Sequence, residues 1–307
     1  MQIMINDFKI ATMIISSNTY PAIRNSKMQK KLFLDNSFDK ELTFWYKAGE
    51  KKNLNGQKFK LLGNDLLIDT SDNTRNMGMK TLLAFEWLEQ NCDYDFVVRP
   101  TPSSYINYNN LENFIQRNLL NHKYVYAGKL QTTNNKQGRL IDFISGSTLI
   151  LNKASINKIL ENKSSWDHAY WDDVALALLM KKLNIEHQDT ERFDVTGNPL
   201  EQNIPTSYYQ YRCRADNHYG YPRYLESVNL KIVHKLSNKQ ELNKISTVIL
   251  SIFYKISKFF YIYQFGWKVF EYSKKVIKKI LPQSFYKILK KIFLKQIEDF
   301  KNVRFKY

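Results

Sequence analysis

In the run Trp171-Asp172-Asp173-Val174-Ala175-Leu176, two carboxylates stand immediately before an apolar helical stretch that continues to Leu183. Acids placed there have two physical uses. They can stabilise the positive end of the helix dipole and cap its free amides, or one can take a proton from a hydroxyl about to act as a nucleophile. A second chemical unit is Ser145-Gly146-Ser147, small and polar inside the apolar run 143–151. Glycine inside a strand marks a bulge or lets backbone approach a ligand closely, and both readings stay open. A third is Arg99-Pro100-Thr101-Pro102-Ser103-Ser104, which follows the strand-like Phe96-Val97-Val98. Proline has no amide donor, so a central strand must end there. A fourth, residues 208–223, sets Arg212, Arg214, His218 and Arg223 among five tyrosines. This segment suits a base with its phosphates, or RNA, or a polar loop packed on its own tyrosines. No RNA-binding motif accompanies it, so phosphate recognition is preferred over RNA.

These units need elements to hold them. Residues 9–17 and 41–49 are strand candidates, the second closed by Gly49, and the segment from 18 to Leu34 mixes basic and apolar residues at helical spacing. Apolar positions Met79, Leu82, Leu83, Phe85 and Leu88 predict a helix over Met77 to Asn91. Strand-like 94–99 follows, then a helix near Leu111 to Leu120, strands at 123–130 and 141–151, and helices at Ala154 to Leu160 and Asp172 to Leu183. Strands alternating with helices indicate an α/β sheet covered by helices.

The chain has 307 residues, is 43% hydrophobic and carries a formal charge of +17, which suits a packed globule with unusual basicity. The charge is uneven. Residues 1–230 hold 28 Lys and Arg against 25 Asp and Glu, whereas 231–307 hold 18 against 4. The sequence therefore reads as a domain at 1–230 and a basic tail at 231–307. Lys255 and Lys258 interrupt the most apolar part of the tail, which falls short of a membrane-crossing span. Lysines between Ile, Leu, Phe, Tyr and Trp suit an amphipathic helix on an anionic membrane surface, which is the preferred reading over helices that pack back on the globule. Cys92 and Cys213 lack metal-ligand spacing and imply no disulfide framework. Acidic Asp7 precedes a short apolar run at the start, a poor signal peptide and a good first strand. The expected setting is cytoplasmic, peripheral on the inner face of a membrane.

Taken in order, five segments resemble the Fringe and beta-3-glycosyltransferase family over residues 8–195. TYPAIRNSKMQKKLF, containing Arg24, is similar to that family's early arginine-bearing helix. DTSDNTRNMGMKTLLAFEWLEQNC is similar to its D-x-Y-x-N-L-x-x-K-T segment through Lys80, Thr81, Trp87 and Cys92. FVVRPTPSSYIN aligns without a gap on F-V-x-K-x-D-D-D-x-F-V-N, FISGSTLIL resembles S-G-x-G-Y-x-L-S, and WDDVALALLMKKLNI resembles E-D-V-x-x-G-x-x-x-x-x-L-G-I.

The resemblance implies a GT-A-like mixed sheet flanked by helices, followed here by the basic amphipathic helical tail. It implies an inverting glycosyltransferase that moves a sugar from a nucleotide-sugar donor to a glycan or lipid-linked acceptor in surface polysaccharide synthesis. Asp173 takes the place of the family's base, with Asp172 beside it. Arg24, Lys80, Arg99, Thr101, Ser103 and Ser104 are expected at the donor, with Arg212 and Arg214 meeting leaving-phosphate charge. Ser145, Gly146, Ser147 and Trp171 are expected at the acceptor. The family's three metal-motif aspartates are Thr101, Pro102 and Ser103 in this chain. Neutral oxygens are poor ligands for a hard divalent cation, so no cofactor is expected and metal-independent transfer is. No nucleic-acid partner is expected. The competing readings are a non-catalytic glycan-binding or assembly protein on the same scaffold, and an RNA-binding protein using the tail.

Overall fold

The computed structural model describes residues 8–34, 40–73, 76–134, 138–215 and 222–262. Its centre is β1, Ile10–Ile15, in which all six residues are buried. Burial on both faces follows from its neighbours, because β1 pairs in parallel with β2 (Thr43–Ala48) on one side and β5 (Phe96–Pro100) on the other. Beyond β2 come β4 (Asp65–Ile68), parallel, and the antiparallel edge strand β3 (Phe59–Leu62). Beyond β5 come β8 (Leu140–Asn152) and β7 (Tyr126–Asn134), both antiparallel, and the two-residue β9 (Gln188–Asp189). The sheet order is β3-β4-β2-β1-β5-β8-β7-β9. The chain thus adopts the expected mixed α/β sheet flanked by helices.

Alternation along each strand builds two cores. Met13, Phe44, Val97 and Leu149 face one side, against Phe85 and Leu88 of α3 (Met77–Asn91), Ile156 of α5 (Lys153–Glu161) and Leu176 of α6 (Asp172–Lys182). Ile14, Trp45, Val98 and Ile150, one residue on in each strand, face the other side. There they meet Phe33 of α1 (Ala22–Leu34), and Leu111 and Ile115 of α4 (Tyr108–Asn118). This two-residue period keeps both faces apolar. A single-turn helix, α2 (Lys51–Leu54), lies between β2 and β3. A small second sheet has the order β10-β11-β6, from Phe193–Asp194, Gln210–Arg212 and Ser104–Ile106.

The expected boundary at residue 230 falls inside a helix. α7 spans Glu226–Ser237, and its Leu230 and Val233 are buried in the same core as Tyr105 and Tyr211. α8, Lys244–Ile262, then packs Tyr254 and Leu250 against Tyr224, Leu225 and Ile232. The described part of the basic tail is therefore docked on the globule through one face. No described helix is long and apolar enough to cross a membrane. The tail beyond residue 262, and His218 of the tyrosine-rich segment, lie outside the described residues.

Candidate active site

From β1 the chain moves outward to β2 and β4, whereas β5 lies on the opposite side of β1. The order reverses between β1 and β5, and the crevice at the carboxyl ends of strands flanking such a reversal is where an open α/β sheet can admit a ligand. Three sequence units meet at the carboxyl end of β5: the Arg99–Ser104 run that closes β5 and opens β6, the Ser145–Ser147 unit of β8, and the Asp172-Asp173 pair at the start of α6.

The Ser145–Ser147 unit is a bulge, one of the two readings that the inserted glycine left open. Gly128 pairs with Leu149 but Leu130 pairs with Ile144, so residues 145–148 bow out opposite Lys129. Gly128 itself sits at φ +152, where a Cβ would meet Ile144 Cγ2 at 2.5 Å and the Thr148 carbonyl at 2.6 Å. The bow turns the peptide groups of Gly146 toward Asp173 and Arg99. The Gly146 N–H donates to Asp173 Oδ2 at 2.9 Å, and the Gly146 carbonyl accepts from Arg99 Nη1 at 3.0 Å. The Val174 N–H donates to Asp173 Oδ1 at 3.0 Å. Asp173 is half-buried, with both oxygens oriented by backbone, and Trp171 beside it is 68% exposed. A large aromatic exposed next to an oriented carboxylate offers an apolar platform for a polar ligand.

Asp172 differs from the cap the sequence suggested. The N-cap position belongs to Trp171, which makes no side-chain cap bond, and Asp172 turns inward, 4% exposed, into an ion pair with Arg99. Arg99 is 1% exposed and also donates from Nε to the Tyr46 hydroxyl at 3.0 Å. Arg99 was expected beside a donor. It is instead buried as the counter-charge of Asp172 and, through Gly146, part of the frame that holds Asp173.

The other expected residues divide. Thr101 and Pro102 are half-buried at the end of β5. Ser104 is buried, its hydroxyl donating to the Ser147 carbonyl at 2.6 Å, and Thr101 Oγ1 lies 3.1 Å from Ser104 Oγ and 3.4 Å from Ser103 Oγ. Ser145 and Ser147 are buried and engaged by a residue that sequence reasoning missed: Arg192 Nη1 donates to their hydroxyls at 3.0 and 2.9 Å. Arg192 is ion-paired with Asp194, and Gln210 Nε2 adds a bond to Ser147 Oγ at 3.0 Å. Arg212, two residues after Gln210 in β11, stands on the same strand face, and its backbone pairs with Ser104. Arg214 lies instead within electrostatic reach of Glu226, which is buried at the start of α7.

Two expected donor residues point elsewhere. Lys80 is buried, its ammonium donating to the Ser16 carbonyl at 2.8 Å and to Asp72 at 3.0 Å. Burial pushes its pKa down, opposed by Asp72 and aided by the Arg99 charge. It braces the end of β1 against the segment before α3. Arg24 lies over the Tyr224 ring, 5.8 Å from its centroid, in a groove between α1, α7 and α8. Of the missed residues, Gln210 was within reach of sequence, inside the flagged tyrosine segment. Arg192 lies in 191–194 (Glu-Arg-Phe-Asp), which has no period or motif to mark it.

The residues at the end of β5 do not fit the divalent cation that the resemblance associates with this position. Thr101, Pro102 and Ser103 provide neutral oxygens alone, and no group of three or more His, Cys, Asp or Glu among the described residues is arranged to hold a metal ion.

No protein-family model and no curated protein matches the sequence. Among solved structures, the chain is similar to a glycosyltransferase involved in the glycosylation of the major capsid of PBCV-1, with 12% identity, TM-score 0.40, and coverage of 72% of this chain and 99% of that one. It is similar to the glycosyltransferase GlyE of Streptococcus pneumoniae TIGR4 at 10% identity and TM-score 0.41, over 76% of this chain and 66% of that one. A 4-diphosphocytidyl-2C-methyl-D-erythritol synthase from Anaerococcus prevotii overlaps to a comparable degree, at 12% identity and TM-score 0.37, over 60% and 86%.

Proposed function

We propose that the protein is an inverting glycosyltransferase of GT-A type, taking a sugar from a nucleotide-sugar donor to a hydroxyl of a glycan or lipid-linked saccharide. The observation that carries this reading is Asp173, held by the Gly146 and Val174 amides beside exposed Trp171, at the bulge of β8. In the reaction, an acceptor oxygen bonds to the anomeric carbon from the face opposite the nucleotide. The bond from that carbon to phosphate oxygen breaks, and the acceptor proton passes to the Asp173 carboxylate. Trp171 supports the acceptor ring. Thr101 lines the donor side with a neutral hydroxyl, and Arg212 places positive charge beside the bulge, where a leaving phosphate gains from it. Transfer proceeds without a cation held by protein carboxylates. The setting is the cytoplasmic, inner face of an anionic membrane, in surface polysaccharide synthesis, with the basic C-terminal region as the membrane-associating element.

The test is transfer or hydrolysis of UDP-, GDP-, dTDP- and CMP-sugars in excess EDTA, by wild type and by Asp173→Asn. Wild type turns over at least one donor without added metal, and Asp173→Asn loses on the order of a hundredfold or more in kcat with its melting temperature retained. Equal turnover by the two proteins removes Asp173 from the chemistry. Glycan binding with no turnover of any donor selects a binding protein instead.

A further inference from the structure

We propose that the groove between α1, α7 and α8 is a docking surface for a bilayer that displays anionic phosphate headgroups. The groove encloses about 500 Å³. Arg24, Lys27 and Lys31 line it from α1, and Lys231 and Lys235 from α7. Their spacings, i, i+3, i+7 on α1 and i, i+4 on α7, place each set on one helical face. Met28, Ile232 and Leu250 form an apolar floor, and among the described residues no acidic side chain lines the groove. Glu226, the nearby carboxylate of α7, is buried and bonded to Arg223 and Asn25, so it does not offset the lysines.

α8 supplies the second half of the surface. Ile245, Val248, Ile249 and Ile252 recur at i, i+3, i+4 and i+7 and are all exposed. Ser246 and Leu250, the residues that follow Ile245 and Ile249, line the groove, so the apolar stripe borders it. Five cations around an apolar floor, next to an exposed apolar stripe, complement a surface in which phosphates and hydrocarbon lie side by side. Other occupants fit less well. Residues 263–307 carry 12 Lys and Arg against 3 Asp and Glu, so this chain's own C-terminal segment has the same sign as the groove. A second copy would bring the same basic face. RNA matches the charge but leaves the stripe in water.

This proposal rests on the membrane setting proposed above and specifies which face of the globule meets the bilayer. It does not depend on sugar transfer, which is assayed separately in the absence of lipid. The full chain is sedimented with vesicles of equal parts phosphatidylglycerol and phosphatidylcholine, and with phosphatidylcholine alone. The groove variant is Lys27→Gln, Lys31→Gln, Lys231→Gln. The control variant removes the same charge from exposed lysines elsewhere, as Lys51→Gln, Lys123→Gln, Lys181→Gln. Binding to the anionic vesicles falls on the order of a hundredfold in the groove variant and less than about threefold in the control. Ile245→Ser with Ile249→Ser removes the fraction that persists in high salt, where the cationic part is screened. Equal losses in the two lysine variants overturn the proposal, because the net charge of the chain then acts without a site. Release by inorganic phosphate at matched ionic strength overturns it in favour of a free phosphate ligand. Loss of RNA retention with vesicle binding unchanged overturns it in favour of nucleic acid. If the triple variant fails to fold, the double variant Lys27→Gln, Lys31→Gln, confined to two exposed side chains, replaces it, with Lys51→Gln, Lys123→Gln as its control: a loss of vesicle binding beyond that of the control supports the groove, and a loss equal to the control overturns it.

Discussion

Adjacent aspartates have opposite tasks in this protein, and the difference is physical. Asp172 is sealed against Arg99, and removing one member of a buried ion pair leaves an uncompensated charge worth about 3–5 kcal/mol. Asp172→Asn therefore lowers the chemical denaturation midpoint by a corresponding amount, whereas Asp173→Asn leaves it near wild type. Gly146 links the two. A Cβ there would stand 3.1 Å from Asp173 Oδ2 and 3.3 Å from Arg99 Nη1, closer than either can accept without shifting. Gly146→Ala is expected to cut kcat about tenfold, since small misplacements of a catalytic group are costly, with KM for the donor and the melting temperature little changed. The sequence made both acids visible as chemistry, and the family resemblance favoured Asp173. It did not show which acid would be buried. That depends on Arg99 reaching α6 across more than seventy residues of chain, a contact that no local period encodes.

Elements were more legible than contacts. The helix over Met77 to Asn91 emerges with its predicted ends, and the strand after it stops at Pro100, where the missing amide requires. The glycine of 143–151 left a bulge and a close backbone approach both open, and the register shift between Gly128 and Leu130 decides for the bulge. The tail was less legible, because amphipathic spacing is the same whether the apolar face meets a lipid surface or a core. In α8 the faces divide: Tyr254 is buried against Asn229 and Tyr224 is bonded to Ser257, while the isoleucine stripe stays outside. Truncation from residue 245, which strips α8 from Tyr224 and Ile232, is thus expected to lower the melting temperature by several degrees. The start of α7 gives a titration test. Burial raises the pKa of Glu226, with Arg223 and Asn25 opposing. A carboxyl raised in the folded state adds stability that is complete below its unfolded value near 4.5 and is lost as pH rises through its folded value. Wild type is then expected to gain melting temperature relative to Glu226→Gln as pH falls from 7 toward 4.5. A difference that is flat across that range, or grows with pH, contradicts the raised value.

At the scale of the molecule, charge is sorted by position. Residues 1–230 are close to neutral and the remainder is strongly basic, yet the division in charge is not a division in packing, since α7 crosses it inside a buried core. Composition revealed the first and could not reveal the second. The crevice between β1 and β5 was recoverable once the strand order was known, but strand order is a long-range property and the sequence supplied only the alternation. Asp173 is steered by two amides, one from the bulge and one from its own helix, and by no side-chain partner among the bonds described. Every residue type except proline supplies an amide N–H, so at Val174 the hold on this carboxylate does not depend on the side chain, whereas at Gly146 it requires that there be none. In a saturation map of the segment, Val174 should accept other apolar residues, and intolerance should concentrate at the lone glycine whose missing side chain lets the amide through. An ester in place of the Gly146 amide would reach what no codon can: it deletes the donor, keeps the shape, and reads the contribution of that single hydrogen directly as a change in kcat.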